Sequence, residues 1–541
     1  MKFIKSHALL LLIILLASVL RLVQLGNNPP SLYWDEVSLG WNASSILKTG
    51  NDEFGRHLPL DTFPAFGDYK PPVYVYAVAS AMKIFGQTDV AVRLPSALAG
   101  IITVLLTYLI VLRLFDNKNI ALLSSLFVAI SPWHIQVSRA AFEANLALMF
   151  MMLGLWLFLE SLDRYRFLIA PALLSFLVSA YTFNSNRIVA PLLLIILIVV
   201  FLKKISIKYL FVAILIAAAL SVPLLKHVNT PEGRLRFNEV SIFNNTETFT
   251  KSVDRATYDN VWWGNIVHNR RIDFSLDFLY HYFSHFEGRF LFISGDVNPR
   301  LSIQDVGEMY LIELPLLIAG LYFLVKNREK RYWIVFALLI IAPIPAGVSL
   351  QTPHALRALT MVIPLEIIAA YGLWNLWLMI KKSHPKFKLG FILLGILAYL
   401  LNFTMYIENY WVHYPKEFST EWQDGYKELV NYVVANQNKY DLIRVTEAYG
   451  RPYVYFTFYS NYDPAKFYTS VSRYRDDQGF YHVSGFDKYR FGTFSKLEKG
   501  ESKKILDVYY GQEYDLEKTP IKEIKSLSGQ TIFKLSDNLS D

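Results

Sequence analysis

The chain consists of long apolar blocks separated by shorter polar stretches. Ala8 to Leu25 is one such block, and another ends at Leu202. Helices of about 20 apolar residues cross a hydrocarbon layer roughly 30 Å thick. A soluble protein with a very large core would not need so many uninterrupted blocks. The pattern therefore predicts a polytopic α-helical membrane protein.

The apolar blocks are consistent with about eleven spans. We place these spans at approximately residues 8–25, 94–113, 119–136, 144–161, 167–184, 188–203, 208–225, 308–326, 332–349, 358–380 and 388–407. Two long polar loops, 26–93 and 226–307, separate some of them. The block from Pro71 to Gly86 is short and contains Lys83, so we interpret it as an amphipathic segment in the membrane interface.

Basic residues determine the predicted orientation, because Lys and Arg accumulate in cytoplasmic loops. The N-terminus contains Lys2 and Lys5. Five loops that would lie on the same side contain Arg113 and Lys118; Arg164 and Arg166; Lys203, Lys204 and Lys208; Lys326, Arg328, Lys330 and Arg331; and Lys381, Lys382, Lys386 and Lys388. The distribution predicts a multi-pass protein of the plasma (inner) membrane with a cytoplasmic N-terminus.

The last segment, residues 408–541, has no spanning block and is rich in Tyr, Lys, Asp and Glu. Its "TEWQDGYKELVNYVVANQ" has the spacing of an amphipathic helix. Its "YDLIRVTEAYGRPYVYFTFY" indicates a strand, a turn and then an aromatic strand or helix. We predict a transmembrane module over 1–407 and a soluble extracytoplasmic α/β domain over 408–541, which we expect to help select the acceptor.

Composition narrows the function classes. The chain is 53% hydrophobic and 18% charged, with a net charge of +8. The basic residues lie in short loops, as expected for orientation signals and anionic lipid, and no nucleic-acid-binding motif is present. We expect no nucleic acid partner. The absence of cysteine excludes disulfides, thiolate catalysis and cysteine-ligated metals.

Two adjacent acids follow the first span. Asp35 and Glu36 lie in an aromatic setting formed by Tyr33, Trp34 and Trp41. Polar residues at span ends are frequently functional, and a carboxylate there can serve as a general base. The alternative is structural: Asp35 caps a surface helix and Glu36 favours its dipole. The residues alone leave both interpretations open.

Cations lie at other predicted outer span ends. Lys70, Arg139, Arg187 and Arg357 suit a phosphate, and His354 lies near the last of them. The structural alternatives are snorkelling side chains, headgroup anchors and, for Arg139, an ion pair with a carboxylate four residues on.

Carboxylates accompany two of these cations. Asp68 is beside Lys70, and Glu143 shares a helical face with Arg139 if the segment is one helix. Together the acids and cations suit attack on a sugar phosphate, in which a base deprotonates the acceptor and cations stabilise the departing phosphate. Paired carboxylates also allow a divalent metal cation.

These motifs occur in an informative order. After the Asp-Glu pair come "KPP" at Lys70, "RLPSALAG", "SPWHIQVSRAAFEAN" and "HALRA". In this order the chain resembles the GT-C glycosyltransferases of the protein O-mannosyltransferase and ArnT-like type, including the RgtA/B/C/D-like bacterial members. The resemblance covers Leu12 to Leu225 well and the later spans loosely. It implies a GT-C fold.

The resemblance also implies chemistry. Members of this family use a polyprenyl-phosphate sugar donor, such as undecaprenyl or dolichyl phosphate, and invert the anomeric carbon. Their catalytic Asp corresponds to Asp35, and their "KPP" lysine corresponds to Lys70. ArnT-type enzymes have a Glu where this chain has Tyr69, and Asp68 is displaced by one residue. The family's metal site therefore does not transfer directly.

The resulting prediction is a hexosyl- or pentosyltransferase of the cell envelope that acts on a protein, lipid or glycan acceptor. Its expected site comprises Asp35 and Glu36 for catalysis, Lys70, Arg139, Arg187, His354 and Arg357 for the donor phosphate, and Asp68 and Glu143 as supporting carboxylates. The alternative is a transporter or flippase of polyprenyl-linked glycans, which would place charges inside spans and show an inverted repeat.

Overall fold

The structure is a computed structural model, and it describes residues 2–258, 262–477, 479–493, 504–513 and 519–539. Within these ranges the first half of the chain is helical apart from one small hairpin. Its helices are α1 (Lys2–Leu22), α2 (Trp34–Thr49), α3 (Pro72–Phe85), α4 (Asp89–Phe115), α5 (Lys118–Ile130), α6 (Pro132–Arg139), α7 (Glu143–Asp163), α8 (Ile169–Ala180), α9 (Asn186–Phe201), α10 (Ile207–Val228), α11 (Pro231–Val240), α12 (Thr246–Tyr258) and α13 (Gly264–Val267).

The second half continues as helices and ends in a sheet. Its helices are α14 (Arg270–Phe283), α15 (Glu313–Asn327), α16 (Trp333–Ile341), α17 (Ile344–Gly347), α18 (Val362–Ile380), α19 (Pro385–Glu408), α20 (Tyr414–Glu417), α21 (Tyr426–Asn436), α22 (Pro452–Tyr459) and α23 (Pro464–Ser470). The strands within the described ranges are β1 (Phe63–Ala65), β2 (Asp68–Lys70), β3 (Leu442–Thr446), β4 (Ser472–Arg475), β5 (Tyr481–Phe486), β6 (Tyr489–Gly492), β7 (Ile505–Tyr510), β8 (Lys522–Lys525) and β9 (Thr531–Asp537).

The chain is a multi-pass membrane protein. Among the described residues, 7 helical segments are long and apolar enough to span, and a bent pair would make 8. The segments are Asp89–Phe115, Glu143–Asp163, Asn186–Lys204, Ile207–Val228, Lys330–Gly347, Leu359–Ile380 and Pro385–Glu417. Shorter apolar helices occupy His7–Leu22, Pro72–Phe85 and Arg166–Ala180. The number of about eleven spans stays a prediction.

A proline accounts for the bent pair. The helices α5 and α6 meet at an angle of 54°. Pro132 opens α6, and Ser131 before it has an extended backbone, with φ −56° and ψ 126°. A residue that precedes proline is disfavoured in the helical region because its backbone clashes with the pyrrolidine ring. The apolar block predicted as the span 119–136 is therefore two helices.

The chain divides into two compact units. The first comprises Met1–Val23, Ser96–Ser138 and Phe142–Ile407. Within it, α15 and α18 cross closely: a Cβ on Gly320 would overlap the carbonyl of Ile368, and one on Gly372 would overlap that of Leu316. Glycines permit this approach because backbones in membrane bundles come close where side chains are small.

The second unit comprises Gln24–Pro95, Arg139–Ala141 and Glu408–Asp541. Its seven-stranded sheet has the order β4-β5-β6-β3-β7-β9-β8, with β3 parallel to both neighbours and the other pairs antiparallel. The predicted C-terminal α/β domain is confirmed as a sheet domain. The aromatic run after β3 forms the helix α22, which has Pro452 in its first turn, where proline is favoured.

Within this second unit, the first loop and the C-terminal segment fold together. A Cβ on Gly40 would lie 2.7 Å from Cε2 of Phe458, so α2 and α22 meet closely at this glycine. The hydroxyl of Tyr455 donates to the carbonyl of Leu32 at 3.2 Å, and Nε2 of Gln87 donates to that of Phe458 at 2.5 Å. Residues about 400 positions apart thus share one core.

The orientation predicted from the basic loops is testable with reporters. An enzyme that is active only outside the cytoplasm should show activity when it is fused after Asp541 and none when it is fused after Lys204. The basic loops predict that these two positions lie on opposite sides of the membrane. A reporter that is active only in the cytoplasm should give the reverse pattern at both positions. The opposite result would place Asp35 on the cytoplasmic side.

Candidate functional site

A buried ion pair fixes the segment that carries the two adjacent acids. Nε of Arg93 lies 2.9 Å from Oε1 of Glu36, and both side chains are fully buried. The guanidinium also donates to the carbonyls of Leu25 and Pro29 at 3.2 and 2.7 Å, and to that of Ser31. A buried arginine is stable only when its donors are paired in this way.

Glu36 also begins the helix. α2 starts at Trp34, and Oε2 of Glu36 accepts from the backbone N–H of Tyr33 at 3.2 Å. Its Oε1 accepts from the backbone N–H of Ala141 at 2.7 Å. Every oxygen of Glu36 is therefore used, and the cap comes from Glu36 rather than Asp35. The alternative prediction placed this helix at the surface, and that is wrong because most of α2 is buried.

Asp35 has a different environment from its neighbour. Its side chain is 26% exposed, and Oδ1 lies 3.1 Å from Nζ of Lys70, which is 15% exposed. Oδ2 of Asp68 lies 3.4 Å from the same Nζ. The structure thus brings together Asp35, Asp68 and Lys70, which are three of the residues that the sequence singled out.

A tight hairpin positions Lys70. Strands β1 and β2 pair with Phe63 opposite Lys70, and the turn between them contains Phe66 at φ +58° and Gly67 at φ +101°. Two successive residues with positive φ match the twist of a two-residue hairpin. Pro71 and Pro72 then lead into α3. The "KPP" motif therefore places its lysine at the end of a strand and at the entrance to a helix.

The acids around Lys70 do not form a metal site. Within the described ranges, no group of three or more His, Asp or Glu side chains is arranged to hold a metal ion. Lys70 contributes a fixed positive charge beside Asp35 and Asp68. The divalent cation that the paired carboxylates allowed does not fit this arrangement, and Tyr69 supplies no carboxylate in its place.

Arg139 is fully buried in the second unit. Its Nε donates to the hydroxyl of Tyr410 at 3.0 Å, and Nη2 donates to the carbonyl of Asn28 at 2.8 Å. Its guanidinium also lies 4.9 Å from the centre of the Trp411 ring, within the range of a cation–π contact. These contacts favour a structural role, and binding of phosphate by Arg139 stays a prediction.

The expectation that Arg139 and Glu143 share a helical face is wrong. α6 ends at Arg139, and α7 begins at Glu143 after an extended Phe142. The break has a physical cause, because the N–H of Ala141 donates to Glu36 instead of to a helical carbonyl. Glu143 is 7% exposed at the start of α7, where a carboxylate favours the helix dipole.

In the first unit, one loop holds His354 and Arg357. Oδ2 of Asp296 accepts from the N–H of Ala355 at 2.6 Å and lies 3.9 Å from Nδ1 of His354. Nε2 of His285 accepts from the N–H of His354 at 3.0 Å. Asp296 was not predicted as a site residue. Its only sequence signal is a turn-rich stretch, "SGDVNPR", in the long loop 226–307.

Burial sets the protonation of this cluster. It raises the pKa of Asp296 to about 6, although the backbone N–H groups of Asn298 and Ala355 and the charge of Arg357 act to lower it. It lowers the pKa of His285 to about 4, so that this imidazole is neutral at pH 7. A neutral ring is consistent with Nε2 as the acceptor of the His354 N–H.

Arg187 also lies in the first unit, where it is partly buried in the first turn of α9. The predicted site residues are therefore divided between the two units. Asp35, Glu36, Asp68, Lys70 and Arg139 belong to the second unit, and Glu143, Arg187, His354 and Arg357 belong to the first.

Comparisons with known proteins find similar sequences for parts of the chain. The family described as Dolichyl-phosphate-mannose-protein mannosyltransferase matches residues 69–227. A putative mannosyltransferase YkcB of Bacillus subtilis is 30% identical over 164 residues, which is 29% of this chain and 22% of that protein. An uncharacterized protein of Aquifex aeolicus is 34% identical over 123 residues, which is 23% of this chain and 25% of that protein. The matches span about a quarter of the length of these relatives.

Solved structures match over nearly the whole chain. ArnT from Cupriavidus metallidurans bound to undecaprenyl phosphate has a TM-score of 0.58 and 12% identity, with 99% of both chains covered. The oligosaccharyltransferase AglB from Archaeoglobus fulgidus, in complex with an inhibitory peptide and a dolichol-phosphate, has a TM-score of 0.52 and 12% identity over 84% of this chain and 64% of that one. The chain has the GT-C fold. The resemblance seen in its motifs is confirmed.

In this GT-C chain, the buried pair should dominate the stability of the Asp35 segment. Glu36→Gln removes the carboxylate that neutralises Arg93, and leaving a buried charge without its partner costs about 3–5 kcal/mol. We expect a large loss of unfolding free energy in detergent. Glu408→Gln is the matched control, because Glu408 pairs with His413 at the surface and should matter little. Equal stability of the two variants would contradict a structural role for the pair.

Proposed function

We propose that the chain transfers a sugar from a polyprenyl-phosphate donor to a hydroxyl group of an acceptor, with inversion and with Asp35 as the general base. The observation that carries this proposal is the pairing of a partly exposed Asp35 with Lys70 at 3.1 Å. A fixed base beside a fixed cation is the arrangement that such a transfer requires.

Asp35 and Lys70 account for the proton and the charge that move in this reaction. The acceptor hydroxyl gives its proton to the carboxylate of Asp35 while its oxygen forms a bond to the anomeric carbon. The bond from that carbon to the phosphate oxygen breaks, and its electron pair leaves with the polyprenyl phosphate. Lys70 stabilises the negative charge that develops on the phosphate, as preorganised cations do in a transition state.

The remaining residues receive supporting roles. Glu36 is a positioning residue, because all its oxygens are bonded within the second unit. Asp68 restrains Lys70. We assign His354, Arg357 and Arg187 to the donor phosphate, since Asp296 and His285 hold the His354–Arg357 loop in place. Binding of the donor phosphate by Arg139 stays a prediction, although its contacts with Tyr410, Asn28 and Trp411 favour a structural role.

Two solved structures support the choice of donor. ArnT was solved with undecaprenyl phosphate and AglB with a dolichol-phosphate, and both share the fold of this chain. The mannosyltransferase family that matches residues 69–227 also takes its name from a polyprenyl-phosphate sugar. We place Asp35 and the C-terminal domain outside the cytoplasm, in agreement with the basic loops.

The role of Asp35 is tested by Asp35→Asn, which preserves size and removes the base. Transfer from polyprenyl-phosphate hexoses or pentoses to envelope material should fall by about 10²–10⁴. The protein should remain folded, because Asp35 lies outside the buried Glu36–Arg93 pair. Asp61→Asn is the control within the same loop, where Asp61 is 39% exposed. Transfer by Asp35→Asn at the wild-type rate would remove Asp35 from the mechanism.

Donor binding is tested separately with undecaprenyl phosphate. Lys70→Ala and Arg357→Ala each remove one charge-assisted contact, worth about 1.5–3 kcal/mol, so binding should weaken at least about tenfold. Lys466→Ala, on the exposed face of α23, is the control and should bind as the wild type does. Unchanged affinity in both Lys70→Ala and Arg357→Ala would contradict the assignment of these cations to the phosphate.

A further inference from the structure

The second unit contains a pocket beside the residue that precedes the proposed base. Its volume is about 460 Å³, and its walls include Trp34, Gln423, Glu447, Tyr449, Arg451 and His482. This volume falls in the range of roughly 300–1,000 Å³ that is typical of small-molecule sites. Trp34 and Asp35 are consecutive residues of α2, so one wall of the pocket and the proposed base belong to the same helical turn.

Two aromatic side chains form rigid parts of this wall. Gly450 has φ +114°, and a Cβ there would lie 2.8 Å from Cε3 of Trp34, so glycine lets the backbone approach the indole. The ring of Tyr449 stacks between those of Tyr426 and Tyr510, each with centroids 5.5 Å away. Its hydroxyl donates to the carbonyl of Thr420 at 3.1 Å. Neither ring position depends on a ligand.

The charged groups of the pocket balance one another. Nη1 of Arg451 donates to Nδ1 of His482 at 2.9 Å, and Nε2 of His482 donates to Oδ2 of Asp476 at 3.0 Å. Oε2 of Glu447 lies 4.0 Å from Nδ1 of His482. Burial raises the pKa of Glu447, while His482 and Arg451 act to lower it. The walls thus present donors and acceptors together and do not select a strongly charged ligand.

One residue that lines the pocket has a buried acceptor without a hydrogen-bond partner among the described residues. Gln423 is 6% exposed, and within the described part of the chain its Oε1 has no hydrogen-bond partner. Buried acceptors in native proteins are nearly always satisfied, and leaving one unpaired costs about 1–3 kcal/mol. Gln423 sits directly after Trp422 in a left-handed conformation, with φ +50°, which fixes its place in the wall. A hydroxyl group that enters the pocket would supply the missing donor.

We propose that this pocket, which we call the acceptor pocket, binds a neutral sugar ring of the acceptor, so that the acceptor is a glycan or glycolipid. A pyranose combines an apolar C–H face, which suits the indole of Trp34, with hydroxyl groups that both donate and accept. Gln423 and Glu447 would accept from these hydroxyls, and Arg451 would donate to them. This inference rests on the proposed glycosyl transfer, because it names the substrate that receives the sugar.

The test uses the full-length protein in lipid nanodiscs, free of sugar-based detergents. The probes are the methyl glycosides of mannose, glucose, galactose and N-acetylglucosamine, and saturation-transfer NMR reports binding. At least one glycoside should show transfer to its ring protons with the wild-type protein. Glu447→Gln and Gln423→Met should each weaken that binding at least tenfold. Glu428→Gln, on the exposed face of α21, is the matched control and should not.

Gln423→Met is included because it keeps the length of the side chain, and a thermal melt of each variant shows that it is folded. The proposal is overturned if the wild type binds no glycoside, or if the folded Glu447→Gln and Gln423→Met variants both bind as the wild type does. Either result would leave the glycosyl transfer itself unaffected.

A second pair of measurements separates this inference from the proposed function. Glu447→Gln should retain undecaprenyl phosphate binding and raise KM for the acceptor at least tenfold, with little change in KM for the donor. Lys70→Ala should weaken the binding of undecaprenyl phosphate at least about tenfold and keep the glycoside. If Lys70→Ala also loses the glycoside, the sugar occupies the donor site and the acceptor pocket is refuted. If the wild type binds glycosides but no undecaprenyl phosphate, the proposed function fails and the pocket stands.

Discussion

The arrangement around Asp35 depends on one buried guanidinium. Arg93 has five donors and no route to water, so its neighbourhood must supply carbonyls and a carboxylate. The loop after the first helix does this by turning its backbone towards Arg93 at Leu25, Pro29 and Ser31 before α2 begins. The charge of Arg93 thus dictates the path of the chain, and the start of α2 follows from it.

Two consecutive acids have different environments because of this constraint. Glu36 is enclosed, and each of its oxygens is bonded, whereas Asp35 faces a single lysine and remains partly exposed. Under the proposed function, Glu36 anchors the start of α2 and Asp35, one residue before it, acts as the base.

Local patterns in the sequence predict many helices and strands of this molecule. They do not predict the contacts between residues that are far apart in the chain. The apolar blocks, the amphipathic α21 and the strand after Lys439 follow from periodicity over a few turns. The roles of Arg93 and Asp296 do not, because their partners lie 57 and 59 residues away in the chain. The helix break at Ala141 was missed for the same reason, since its cause is a carboxylate 105 residues earlier.

The close approach of α2 and α22 bears on how this protein can diversify or be redesigned. Gly40 and Phe458 meet with no room for one extra methyl group, so neither segment can change shape alone. Recombination therefore cannot exchange the C-terminal domain without also exchanging the segment that packs against it. A chimera with a new C-terminal domain would have to carry residues 24–95 from the same parent.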